Sequence, residues 1–304
     1  MIAAAGRDPA WIAVDWGSSR LRAWAMSSSD DVLDSISNDQ GMNALGPSAF
    51  EPALLRAVEP WLGCGEIEVL ACGMVGARQG WQEVDYVDVP ARPLDLKPVQ
   101  VRNVADPRLS VRIVPGLRQP EPADVIRGEE AQVAGFIDDE PDFDGVFCLP
   151  GTHTKWVRVA NGSVQGFRTA MTGEVFELLA RRSILRHSIA GDDMDLQAFD
   201  EACRACFSQP ERLLSGLFSI RAGSLIRGIS SATACGLLSG SLIGADLASN
   251  QVFWDDLDVA IIGADAIGAL YERAIVSNGG MARRLEGETL VRRGLSRIRA
   301  ASPG

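Results

Sequence analysis

One pattern occurs twice in this chain, and few folds can accommodate it. Residues 11–24 read WIAVDWGSSRLRAW: an apolar strand, a polar corner Asp15-Trp-Gly-Ser-Ser-Arg20, and an apolar strand again. Residues 146–159 read VFCLPGTHTKWVRV, with Pro150-Gly-Thr-His-Thr-Lys155 between the apolar halves. Asp, Gly and Ser are ordinary hairpin residues, each for its own backbone reason. A matched second copy demands more. Gly17 and Gly151 stand nearly half of the 304-residue chain apart. Self-similarity on that scale predicts two lobes, each opening with a hairpin whose corner faces the other lobe.

Such corners suit a phosphate chain. Successive backbone N–H groups in a tight Gly-Ser/Thr turn form an anion nest, hydroxyls add to it, and glycine lets the anion approach closely. Gly17-Ser18-Ser19 and Gly151-Thr152-His153-Thr154 both fit. Two facing nests would grip the β- and γ-phosphates of a nucleotide, with Lys155 or Arg20 adding charge-assisted contacts. Asp15, at the strand's end, can hold Mg²⁺ directly or through water, or can be a turn carboxylate satisfied by its own backbone.

Further strands are expected at 32–36, 66–72, 86–89, 111–114 and 257–262. Helices are expected at 49–62, 129–137, 174–185, 266–276 and 287–300, with 172–231 mostly helical. The acidic, turn-rich stretch 138–145 is the best lobe boundary, which divides the chain into 1–143 and 144–304. The weakly polar run 232–245 is too short and too rich in small residues to span a bilayer and reads as a packed helix. Six cysteines form no framework, and Cys203-x-x-Cys206 has neither a second pair nor a nearby histidine, so reduced thiols are expected.

A net charge of −11 argues against nucleic acid or an anionic membrane as the main partner. The first nine residues lack the basic start and apolar run of a signal peptide, and a cytoplasmic location is expected. With two histidines and no G-x-S-x-G, a serine hydrolase has little support. Neither a G-x-x-x-x-G-K-[ST] loop nor a G-x-G-x-x-G fingerprint is present.

An ordered set of short runs remains: Asp15-Trp-Gly-Ser-Ser19, Gly41-Met-Asn43, Gly73-Met-Val-Gly76 with Gly80-Trp81, Ile113-Val-Pro-Gly116, and Arg127-Gly-Glu-Glu130. After them come Pro150-Gly-Thr-His153 with Lys155-Trp156, Arg168 with Met171-Thr-Gly-Glu174, and Gly236-Leu-Leu-x-Gly240. Together they resemble the 2-keto-3-deoxygalactonate kinase family, within the superfamily of acetate and sugar kinases, heat-shock chaperone ATPases and actin. The resemblance implies an α/β, two-lobed actin-like (ribonuclease H-like) ATPase fold, a duplicated mixed sheet with flanking helices and a central cleft. It also implies transfer of the ATP γ-phosphate to the C6 hydroxyl of 2-keto-3-deoxygalactonate, with Mg²⁺.

Onto matched positions the resemblance carries two phosphate corners, residues 15–19 and 151–155, and puts Ile262-Gly263-Ala264 near the adenosine. The sugar-acid site would lie in the first lobe, and the second would add a helical insertion. A sugar kinase needs a carboxylate to take the hydroxyl proton. Glu129 and Glu130 open a helix just before the second hairpin; Glu130, followed by Ala, is the first choice, though either acid could merely complement the helix dipole. The substrate carboxylate calls for an arginine fork, with Arg127 ahead of Arg168 and Arg78. Asn43 and Trp81 are candidate sugar contacts, and His153 is expected to pack in its corner rather than catalyse. Alternatives are an exopolyphosphatase-like phosphohydrolase and an actin-like or chaperone-type ATPase. Epimer preference and homo-oligomerisation stay open.

Overall fold

In the computed structural model of the chain, residues 9–191, 193–263 and 265–302 are described. The start of the chain used above for localisation, up to residue 8, and Ala264 lie outside them. The chain divides into two compact units. Unit 1 is Met1–Phe143 with Asn161–Gln165 and Gly287–Gly304; unit 2 is Asp144–Ala160 with Gly166–Glu286.

Unit 1 is built on β1 (Trp11–Trp16), β2 (Leu21–Met26), β3 (Val32–Asn38), β4 (Ile67–Gly73), β5 (Val87–Asp88), β6 (Val99–Gln100), β7 (Leu109–Ile113), β8 (Leu117–Gln119) and β9 (Asp124–Ile126). The main sheet runs β3-β2-β1-β4-β7-β6, and β5-β8-β9 form a small second sheet. Every residue of β1 is buried, as expected of a central strand covered on both faces whose run is apolar but for Asp15. One face packs Ile12, Val14 and Trp16 with Phe50, Leu54 and Val58 of the helix Phe50–Val58.

Unit 2 carries β10 (Gly145–Leu149), β11 (Thr154–Ala160), the larger part of β12 (Ser163–Ala170), β13 (Asp258–Ile262) and β14 (Met281–Leu285), ordered β12-β11-β10-β13-β14. This repeats the plan of the first sheet. In each, an opening strand pairs antiparallel with the next strand of the chain and parallel with a later one, which pairs parallel with a third. That duplicated α/β plan is the actin-like class.

Helices close-pack through glycine. In the helix Ser231–Ser249, Gly236, Gly240 and Gly244 present a bare edge to the helix Leu196–Ser208, and a Cβ on Gly240 would sit 3.0 Å from the Phe199 Cα. The helix is long and apolar enough to cross a membrane by length and composition, yet most of it is buried here as a core element. The last helix, Gly287–Ala300, belongs to unit 1 rather than to a 144–304 lobe. Its Gly294 meets Gly135 of the helix Glu129–Asp139 so closely that a Cβ on Gly135 would lie 2.9 Å from the Gly294 nitrogen. That same helix extends to Asp139, so part of the acidic stretch expected as loop is helical.

Candidate active site

The first corner is the tight link between β1 and β2. Gly17 N–H donates to the Arg20 carbonyl at 2.8 Å, which closes the turn. Behind it stands Gly41-Met42-Asn43: the N–H groups of Met42 and Asn43 donate to the carbonyls of Gly17 and Ser18 at 3.0 and 2.9 Å. Gly41 has ordinary extended backbone, φ −67°, so its glycine is a matter of room. A Cβ there would stand 2.5 Å from the Ser18 carbonyl oxygen. Asn43 thus braces the corner through its backbone, and the residue is exposed.

Asp15, 8% exposed, accepts from Arg22 Nη2 at 2.5 Å through Oδ2. The two residues are directly paired across the hairpin, and Arg22 also faces Glu288 at 3.5 Å. Burial raises the Asp15 carboxyl pKa, against the pull of Arg22.

β1 and β4 run parallel, with Asp15 opposite Cys72 and Trp16 opposite Gly73. Gly73 takes φ +91° and Gly128 φ +108°, backbone that side chains resist. A Cβ on Gly128 would lie 3.2 Å from the Gly73 Cα. This contact brings the start of the helix Glu129–Asp139 against the end of β4. Glu129 Oε2 accepts the Arg127 N–H at 2.8 Å, and Glu130 Oε2 accepts the Gly128 N–H at 2.6 Å. Each acid therefore serves the helix start with one oxygen. Glu130 is fully buried, and its Oε1 has no partner. Burial, then the charge of Glu129, pushes the Glu130 carboxyl up to about 8. A desolvated carboxylate poised near neutrality is a strong general base.

Arg127 is buried at 8% exposure beside Glu130 in the chain. Its Nη2 donates to the Val84 carbonyl at 2.7 Å, its guanidinium stacks 4.1 Å from the Tyr86 ring centre, and Nε and Nη1 have no partner. Gly76 makes room for it, since a Cβ there would stand 2.7 Å from Nη1. Two buried N–H groups of this cation, on different sides of the guanidinium, are left to meet oxygens of an anionic ligand. The other arginines differ. Arg78 is exposed and paired with Glu83 at 3.4 Å, and Arg168 is exposed on unit 2, donating to the Ser249 carbonyl at 3.2 Å. Trp81 packs edge-on against Trp16, 6.4 Å between ring centres.

The second corner links β10 and β11 and is backed in the same way. Glu174 N–H donates to the Thr152 carbonyl at 2.9 Å, and a Cβ on Gly173 would stand 3.0 Å from the Thr152 Cα. Both residues belong to the helix Thr172–Arg182. His153 Nε2 hydrogen-bonds Glu174 Oε2 at 2.6 Å, a bracing role. Thr154 begins β11, and its buried hydroxyl bonds Tyr271 at 2.9 Å, so its side chain faces the core and only its backbone N–H is left for the expected phosphate role. Lys155 is buried to 9% and donates to Thr169 Oγ1 at 3.0 Å. Gly263 lies beneath this corner, with room for a Cβ only at 3.2 Å from Pro150. Arg20 is largely exposed, 3.9 Å from Asp39.

The family model for 2-keto-3-deoxy-galactonokinase matches residues 15–298. The chain belongs to this family. The "Probable 2-dehydro-3-deoxygalactonokinase DgoK1" of Rhizobium meliloti (strain 1021) is 36% identical, over 94% of this chain and 95% of that protein. The 2-dehydro-3-deoxygalactonokinase of Escherichia coli (strain K12) is 29% identical, over 95% and 97%. A crystal structure of a Sinorhizobium meliloti protein, described as a putative 2-dehydro-3-deoxygalactonokinase, superposes with a TM-score of 0.88. It is 36% identical over 97% of this chain and 100% of that one. Both sequence relatives carry the kinase name, so the phosphohydrolase and assembly-ATPase alternatives are not favoured.

For a 2-keto-3-deoxy-galactonokinase family member, two partners escape sequence reasoning. Arg22 was findable, because hairpin register puts it opposite Asp15. Tyr86, the platform under Arg127, lies in an irregular region and leaves no such signal. No group of three or more metal-binding side chains occurs among the described residues. A magnesium ion carried in with phosphates needs only one or two protein carboxylates, its other ligands being phosphate oxygens and water. Asp15, with Oδ2 on Arg22, fits that modest demand.

Proposed function

We propose that this chain phosphorylates the C6 hydroxyl of 2-keto-3-deoxygalactonate with ATP, giving the 6-phosphate, in the cytoplasm as a step of galactonate catabolism. Family membership supports the reaction. The observation that supports the site is the trio of buried, unpartnered atoms Glu130 Oε1, Arg127 Nε and Arg127 Nη1. A fold does not keep orphan polar atoms in its interior for stability, because each costs about 1–3 kcal/mol. Their partners are then to be sought in a ligand that carries both a hydroxyl and a carboxylate.

In this reading Arg127, held flat by Tyr86, takes the substrate carboxylate through one of its two unpartnered N–H groups and another substrate oxygen through the other. Asn43 and Trp81 contact the sugar chain, with Arg78 and Arg168 as secondary arginines. Glu130 Oε1 accepts the proton of the C6 hydroxyl as its oxygen attacks the γ-phosphorus and the bond to the departing ADP breaks, with Glu129 its neighbour and understudy. Residues 17–19 and 151–155 offer backbone N–H groups to phosphate oxygens, Lys155 adds positive charge, and Gly263 borders the adenosine. Asp15 would hold the magnesium ion, which supplies charge neutralisation to the phosphates. No step needs His153 as a catalyst.

Purified protein assayed with ATP, Mg²⁺ and each keto-deoxy-hexonate epimer tests the function. Formation of the 6-phosphate from the galacto epimer supports it. Orthophosphate release without a sugar acid, or no turnover of either epimer, rejects it.

A further inference from the structure

We propose that Asp246 is a positioning residue for the second phosphate corner, gripping the strand that leaves the corner and the helix that backs it. The proposal rests on the assignment of residues 151–155 to ATP phosphates. Asp246 sits near the end of the helix Ser231–Ser249 and is 6% exposed. Four side chains donate to it. Trp156 Nε1 at 3.0 Å and Asn250 Nδ2 at 2.8 Å reach Oδ1, while Thr172 Oγ1 at 2.7 Å and the Tyr271 hydroxyl at 2.5 Å reach Oδ2. An ionised carboxylate only accepts, and these donors occupy both its oxygens.

The directions of these bonds propagate. Because the Tyr271 O–H donates to Asp246, its oxygen is left to accept, and Thr154 Oγ1 donates to it at 2.9 Å. Thr154 is the first residue of β11, and Trp156 lies two further along the same face. Thr172 is the first residue of the helix whose Glu174 N–H holds the Thr152 carbonyl and whose Gly173 abuts Gly151. One carboxylate thus fixes the chain just after the corner and the support just behind it. Nothing in the phosphoryl-transfer chemistry touches Asp246. An apolar residue would serve stability as well or better in so buried a place, whereas a fully connected polar hub fixes one geometry.

Two variants test it. Asp246→Asn removes the charge and replaces an acceptor oxygen by a donor, so the Thr172 and Tyr271 hydroxyls can meet it only by reversing their bonds and with them the link to Thr154, whereas Tyr271→Phe keeps the ring packed on Trp156 and removes only the hydroxyl relay. Steady-state kinetics with both substrates and ATP-induced thermal shifts are measured for each. We expect the KM for ATP to rise about tenfold or more in either variant, the sugar-acid KM to stay within about twofold, and the double variant to be no worse than Asp246→Asn. A folded Tyr271→Phe with wild-type ATP KM, kcat and thermal shift overturns the proposal, as does an equal rise in both KM values. Should Asp246→Asn fail to fold, Tyr271→Phe alone decides. If wild-type protein turns over no sugar acid, the kinase reading fails, and the ATP thermal shift of Tyr271→Phe against wild type still decides this one.

Discussion

Glu130 accepts the Gly128 N–H at 2.6 Å with one oxygen and keeps the other, Oε1, buried without a partner. A carboxylate so divided can anchor its helix and still bind a proton. We expect Glu130→Gln, which preserves the anchoring oxygen, to lower kcat by about 10²–10⁴-fold while the KM for ATP changes little. Unchanged kcat in this variant would shift the role to Glu129.

The same residue sets a pH dependence. With its carboxyl pushed up to about 8, the base is ionised only as pH rises through that value, so log kcat/KM should climb below pH 8 and level above it. Stability runs the other way. Folded protein holds the proton between pH 4.5 and about 8 whereas unfolded chain releases it, so this group's contribution falls across that window. Melting curves should therefore show Glu130→Gln gaining on wild type by several degrees at pH 9, with the difference vanishing near pH 5.

Arg127 offers guanidinium N–H donors, held flat on Tyr86, that lysine cannot copy. Arg127→Lys should raise the KM for the sugar acid about 10–100-fold and spare that for ATP. It should also narrow the preference for the acid over the corresponding neutral keto-sugar, a ratio that a purely structural arginine would not influence. Competition assays with the neutral analogue supply the check.

Gly41 and Gly173 stand behind their corners with no space for a methyl group. Alanine at either should displace the corner and raise the KM for ATP about tenfold or more. Gly46→Ala is the control, since a Cβ there meets nothing within 4 Å, and its kinetics should match wild type.

Two glycines in unit 2 should respond with opposite signs. Gly240→Ala drives a methyl into the backbone of Phe199 and should destabilise by about 1–3 kcal/mol. Gly216, in the helix Leu213–Arg227, faces open space, and Gly216→Ala should stabilise by about 0.5–1 kcal/mol. Urea melts of the two variants distinguish them.

Much of this was legible because the signals are local. A strand, a glycine corner and a second strand announce a hairpin within fourteen residues, and acids at 129 and 130 announce a helix start. Gly41 and Gly173 read as motif residues before their purpose was visible, namely to back the corners. At Thr154 phase, not composition, decides which way the hydroxyl points; beginning β11 two residues earlier sends it inward with Trp156. Asp246 was invisible for a different reason. Three of its four partners, Trp156, Thr172 and Tyr271, are far away in the chain, and one acid closing an apolar helix carries no sign of what it will hold. The last helix likewise read correctly as a helix, but its packing against Gly135 is a tertiary fact.

That glycine-to-glycine contact between positions 135 and 294 has a consequence for biosynthesis. The helix bearing Glu130 cannot acquire its mate until residues 287–300 have left the ribosome, so unit 1 begins assembly before unit 2 yet finishes after it. Unit 2 is then threaded through as an interruption, able to mature while its host waits. Pulse-labelled nascent chains would accordingly gain protease resistance in the middle before they gain it at the front.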